Sequence, residues 1–133
     1  MNKIVTRAII LNDKGKALLG KRARSDSSGK WALIGGKPDG EETPKDAIAR
    51  EVQEELGLIF KPSLWMEEID TISVPGETWK VYYFSGIAEG ELNLKEDEVA
   101  EIAFAGLNDL ENLDIAFNHK EILAKFFRDN VHP

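Results

Sequence analysis

The sequence predicts a mixed α/β fold carried by one domain over residues 1–133. Three observations point there. Short β-branched and aromatic runs recur between Ile4 and Ala105, two other segments switch to helical spacing of their apolar residues, and no repeat or linker divides the chain. Strands interleaved with helices in this way imply a mixed sheet held between helices.

Ile4 to Leu11 is apolar and β-rich, as a buried strand would be. Asn12-Asp13-Lys14-Gly15 is a turn by composition, and Ala17 to Gly20 resumes a strand, so the two are expected to pair as a hairpin. Arg22 to Lys30 is polar and reads as an exposed loop. Trp31 to Ile34 is a short strand that leads into Gly35-Gly36. A helix follows, opened by Thr43 as cap and Pro44 at its first position, and closed by Gly57. Ile69–Val74 and Trp79–Ala88 are two more strands, split by Pro75-Gly76. Trp79, Val81 and Tyr83 alternate with Tyr82 and Phe84, so both sides are apolar and the strand belongs in the centre of a sheet. Trp65, after Pro62-Ser63, reads as the most exposed tryptophan. Asn93 to Glu101 is an acidic loop, Ile102 to Ala105 a final strand, and 115–127 a helix with Asn118 as its cap.

Bulk properties narrow the function. Net charge is −7, with 42% hydrophobic and 31% charged residues. An acidic chain without a basic stripe argues against a nucleic-acid partner, since phosphates select for basic patches. No apolar run approaches the ~20 residues that span a bilayer, so no membrane partner is expected. There is no cysteine, which excludes a disulfide scaffold, a thiolate metal site and a cysteine nucleophile. No secretory signal is visible, and a cytoplasmic location is expected. Self-association into a homodimer is left open.

Residues 36–58 are the most informative stretch: on the carboxylates alone, their helix face reads either as a solvated acidic surface or as a cation site. Glu51, Glu54 and Glu55 stand at i, i+3 and i+4 of the expected helix, so their carboxylates crowd one side. Like charges at that spacing destabilise a helix by roughly 0.2–0.5 kcal/mol per pair. A divalent cation would reverse that sign, and oxygen ligands suit hard Mg²⁺ or Mn²⁺. Ile48, Val52 and Leu56 recur every four residues and offer a separate apolar stripe to a core.

Gly36, Glu42, Arg50, Glu51, Val52, Glu54, Glu55, Gly57 and Leu58 match, position for position, the signature of the Nudix hydrolases, which this segment resembles. The family often has Gly just before the first Glu of that signature; here Glu41 fills that place and competes with Glu42. Ile34 stands where many members have Pro. The resemblance implies the Nudix α/β/α sandwich and hydrolysis of a nucleoside diphosphate linked to another group, with Mg²⁺ as cofactor and Mn²⁺ as substitute. It implies Glu51, Glu54 and Glu55 as metal ligands, with the Gly36 carbonyl beside them. Glu51 and Glu54 are also catalytic candidates, Arg50 orients a neighbouring carboxylate, and Gly35, Glu42 and Gly57 shape the motif. Glu98, in the acidic loop, is the candidate for a further ligand or for handling the attacking water; Glu96, Asp97 and Glu101 are its rivals.

On the substrate side, Lys21, Arg22 and Arg24 follow the second strand and are placed to meet phosphates, as is Lys37, while Trp31, Trp65, Trp79 and Phe117 are candidates to stack on a base. Gly35-Gly36-Lys37 and Glu42-Thr43-Pro44 resemble MutT-type nucleoside triphosphate pyrophosphatases, including those that clear oxidised nucleotides. The segment from Ile115 to Leu123 resembles ADP-ribose hydrolases instead, with Asn118 where an Asp is common. An amide offers a donor and an acceptor to a base edge and suits either substrate. A small-molecule triphosphate is favoured, with ADP-ribose or a nucleotide sugar as the alternative. Every signature glutamate is retained, which favours catalysis over a non-catalytic nucleotide-sensing module.

Overall fold

The computed structural model describes residues 3–23 and 29–130. Its elements run β1 (Ile4–Ile10), β2 (Ala17–Arg22), β3 (Trp31–Ala32), β4 (Ile34–Gly36), α1 (Pro44–Leu56), β5 (Ile59–Phe60), β6 (Ser63–Asp70), β7 (Trp79–Gly86), β8 (Ala88–Glu89), β9 (Val99–Ala105), a 3-10 turn (Leu107–Asn112) and α2 (His119–Asn130). A mixed four-stranded sheet has the order β4-β1-β7-β6, with β1 parallel to β7 and antiparallel to β4. A three-stranded antiparallel sheet has the order β3-β2-β9, and β5 pairs with β8.

Alternation along the central strands feeds two cores. Ile9, Val81 and Tyr83 pack with Leu123, Phe126 and Phe127 of α2. Ala8, Ile10 and Phe84 pack with Ile48, Val52 and Leu56 of α1. The sheets therefore lie between two helices, and β7 is central, as its two apolar sides require. The α1 stripe is fully buried. At about 1.5–3 kcal/mol per buried aliphatic side chain, that burial outweighs the repulsion among the helix glutamates. Among the described residues no helix is long and apolar enough to cross a membrane.

Several sequence expectations change. β1 and β2 do not form a hairpin ladder: they join different sheets, and among the described residues their strand pairing is a single Leu11–Ala17 bridge. The turn itself is as expected, with the Asn12 side chain accepting from the Lys14 and Lys16 N–H groups. Both edges of β1 are already taken by β4 and β7, so β2 pairs elsewhere. The Trp31–Ile34 run splits between the two sheets at Leu33, whose N–H donates to Nδ1 of buried His119 at 3.0 Å. Burial, then the charges of Arg7 and Arg22, hold His119 neutral.

The strand expected from Ile69 begins instead at Ser63 and ends at Asp70, whose carboxylate accepts from the Ile72 and Ser73 N–H groups and turns the chain. Trp65 is half-buried like Trp31 and Trp79, edge-on to Phe126 at 5.0 Å and to Tyr83 at 6.2 Å. The last strand starts at Val99, inside the expected acidic loop. Helix α2 starts at His119, later than expected; the Asn118 carbonyl accepts from Ile122, while its side-chain amide reaches Glu68.

Candidate active site

Local chemistry fixes α1 at both ends. Thr43 Oγ1 accepts from the Asp46 N–H at 3.1 Å, Pro44 opens the helix, and Gly57 closes it in the left-handed region at φ 74°. With the apolar stripe pinned in the core, Glu54 faces out of it, Glu51 is half-buried and Glu55 is buried.

Arg50 organises them. Its Nε donates to Glu42 at 2.9 Å, and its terminal nitrogens donate to Glu42, Glu51 and Glu54 at 3.0 Å and to the Lys37 carbonyl at 3.1 Å. Glu42 also accepts from the Asp39 N–H, and Glu41 is exposed, so Glu42 is the loop acid tied to the helix. The bond to Arg50 is the first reason the Glu42 pKa is lowered. One planar cation thus compensates three glutamates, with the exposed Asp39 carboxylate at 3.6 Å as a fourth partner.

Below them lies a polar cleft of about 230 Å³ lined by Arg22, Gly35, Gly36, Glu51, Glu55 and Glu98. Glu51 sits directly against Gly36, where any Cβ would overlap its carboxylate. The Gly36 carbonyl accepts from Thr6 Oγ1 at 2.9 Å, which leaves it a second lone pair. Gly35 is forced by β1, because a Cβ there would strike the Thr6 carbonyl. Glu55 is buried, and its Oε2 has no hydrogen-bond partner. Burial first, then the hydrogen bond and charge of Glu51 and the charge of Glu98, push its pKa up to about 9, against the opposing pull of Arg7. Glu55 is therefore protonated at neutral pH without a cation.

Glu98 reaches this cleft because β9 enters beside the end of β2. Its carbonyl accepts from the Ala23 N–H at 3.1 Å, and the pairing shifts register between Lys21 and Arg22. Its rivals lie elsewhere: Glu96 and Asp97 are exposed, and Glu101 pairs with Lys21 at 3.2 Å. Glu54 is not in the cleft. Its half-exposed carboxylate turns to Arg50. As the side chains stand, no three acidic or imidazole groups among the described residues converge on one ready cation position. The donor set nevertheless fits a hard cation: it is all oxygen, it includes an orphaned buried carboxylate oxygen, and the Gly36 notch leaves room beside Glu51.

An aromatic pocket of about 250 Å³ adjoins the cleft, lined by Arg7, Lys37, Asp70, Trp79, Tyr83, Phe117 and Asn118 among others. Lys37 Nζ stands 5.0 Å over the Trp79 ring, and the Asn118 amide donates to Glu68 at 3.1 Å. Past Trp79 a wider groove of about 550 Å³ is lined by Lys3, Lys37, Glu42 and Glu77. Of the expected substrate residues, Arg22 lines the carboxylate cleft and Lys37 and Asn118 line the aromatic pocket; Arg24 lies outside the described residues. Sequence reading missed Arg7. The one available signal was a charged residue in the middle of an otherwise apolar buried strand.

Comparison with known proteins gives one consistent result. The family model described as NUDIX domain matches residues 1–126. An ADP-ribose pyrophosphatase of Methanocaldococcus jannaschii is 32% identical over 121 residues, covering 90% of this chain and 70% of its own. The 8-oxo-dGDP phosphatase NUDT18 of mouse is 26% identical and covers 97% of this chain, which spans only 41% of the mouse protein. The crystal structure of a MutT protein from Methanosarcina mazei superposes with a TM-score of 0.82 at 26% identity, covering 98% of this chain and 96% of that one.

Proposed function

The chain belongs to the Nudix family of pyrophosphohydrolases, and on that premise we propose that it hydrolyses the phosphoric anhydride of a nucleoside triphosphate, releasing a nucleoside monophosphate and diphosphate. What supports this reading above all is the adjacency of the oxygen-rich cleft to a pocket sized for a single base.

Nudix enzymes generally use divalent metal ions. Glu51, Glu55, Glu98 and the Gly36 carbonyl are the groups that would hold one here, with Glu54 free to join on leaving Arg50. Bound Mg²⁺ or Mn²⁺ supplies neutralisation of phosphate oxygens and a lowered pKa for an attacking water. The chain's own residues do the rest. Glu55 would have to give up its proton to hold a cation, so loading would be favoured by rising pH. Arg50 holds Glu42, Glu51 and Glu54 in place against their mutual repulsion. On this reading Glu98 accepts a proton from the attacking water, Arg22 meets phosphate oxygens, and Asn118 offers a donor and an acceptor to a base edge.

A second reading, ADP-ribose or a nucleotide sugar, draws on the wide groove past Trp79, which has room for a second lobe, and on the name of the archaeal relative. Incubation with nucleoside triphosphates, including oxidised ones, ADP-ribose and nucleotide sugars, with products identified, separates the two. Monophosphate and diphosphate from a triphosphate are expected. Cleavage of ADP-ribose with triphosphates left intact would transfer the assignment to the second reading.

A further inference from the structure

We infer that Arg7, together with Arg22 and the ring of Phe117, forms the anion subsite that takes the phosphate adjoining the nucleoside. The inference rests on the nucleotide reading above and adds a binding residue to it. Four observations carry it. Arg7 lines both the aromatic pocket and the adjoining polar recess that contains Glu55 and Glu98, so it stands at the junction of the two. Its guanidinium lies 5.5 Å from the Phe117 ring centroid, and the Arg22 guanidinium lies 5.1 Å from the same centroid. Among the described residues no carboxylate stands within ion-pair distance of Arg7. Phe117 itself holds φ at 57°, a conformation that L side chains rarely adopt, while 43% of it stays exposed.

Two like charges that share one ring repel each other in a partly dehydrated place. Burial, and then the charge of Arg22, lower the Arg7 pKa, although an arginine keeps its proton. An anion seated between them reverses both penalties. A phosphate can take planar, two-pronged hydrogen bonds from the Arg7 guanidinium. With the base in the aromatic pocket and the reacting anhydride at the glutamates, the phosphate next to the sugar comes to lie at Arg7.

The test measures binding by the full chain with Mg²⁺ present, by calorimetry. Adenosine and guanosine are compared with AMP and GMP, and inorganic diphosphate serves as a probe that needs no nucleoside. In the wild type the monophosphate should bind more tightly than its nucleoside. Arg7→Ala should cancel that gain, a loss of about tenfold to a hundredfold, and leave nucleoside binding in place. Arg7→Lys should retain part of the gain. Lys125→Ala, which removes an exposed cation paired with Asp129 on α2, controls for overall charge. Equal weakening of nucleoside and monophosphate in Arg7→Ala would overturn the inference, since Arg7 would then read the base or shape the pocket. Unchanged affinity for monophosphate and diphosphate would overturn it as well. If Arg7→Ala melts below the assay temperature, Arg7→Lys and Arg7→Gln decide by the same comparison. Should the wild type cleave no nucleotide, the proposed function fails by itself, and the diphosphate arm still judges the anion subsite.

Discussion

Two side chains of the signature helix define the residue scale. Arg50 joins Glu42, Glu51 and Glu54 through separate prongs, which a lysine cannot reproduce. Arg50→Lys should therefore keep the charge, keep the fold and lower kcat/KM by about ten- to a hundredfold, the usual cost of disturbing groups that orient metal ligands. Steady-state kinetics beside a thermal melt checks this; full activity would reduce the cluster to a surface ion pair. Glu55 makes a pH prediction. Its folded pKa, pushed up to about 9, lies above the ordinary carboxyl value near ~4.3. Between those values the folded chain binds the extra proton, so cation-free stability falls as pH rises from about 4.5 to about 9, by at most about 1.4 kcal/mol per pH unit. Glu55→Gln should flatten that slope in chelator while abolishing most activity. Melts of both proteins from pH 5.5 to 8.5 decide, and parallel slopes would contradict the buried carboxyl. The signature residues were legible because identity at fixed spacing survives without a structure. Arg7 was not, because one arginine in a strand does not say which cavities meet at its side chain.

Among elements, α1 was the most legible. Thr43, Pro44, Gly57 and the Ile48-Val52-Leu56 stripe are local signals, and all of them hold. Strand pairing was less so. β1 and β2 are adjacent in sequence but sit in different sheets, because β4 and β7 arrive from far along the chain to occupy both edges of β1. β6 was misplaced for a related reason: an edge strand with a bulge near Leu64–Met66 carries no clean alternation. The entry into β9 supports a sharper test. Glu98 lines the cleft, while Glu101, in register with Lys21, makes an ion pair with it. Glu98→Gln should lower kcat more than it raises KM, and Glu101→Gln should stay near wild type. A crippled Glu101→Gln beside a normal Glu98→Gln would show that the loop is out of register.

For the whole molecule, the helix–sheet–helix architecture lets one helix keep a stripe in the core and present its acids at the edge of a central sheet. The same sheet carries the aromatic pocket on β1 and β7, so on the proposed reading base recognition and anhydride chemistry would share one support. An acidic chain of net charge −7 repels a polyphosphate unless cations gather locally, and Arg7, Arg22 and a bound divalent ion would supply them. The most direct measurement is hydrolysis of nucleoside triphosphates by exhaustively chelated protein, followed by stepwise return of Mg²⁺. Turnover should vanish on chelation and return with Mg²⁺, yielding monophosphate and diphosphate. Turnover that persists in the chelated protein would contradict the assignment of the glutamate cleft as a metal-dependent catalytic centre.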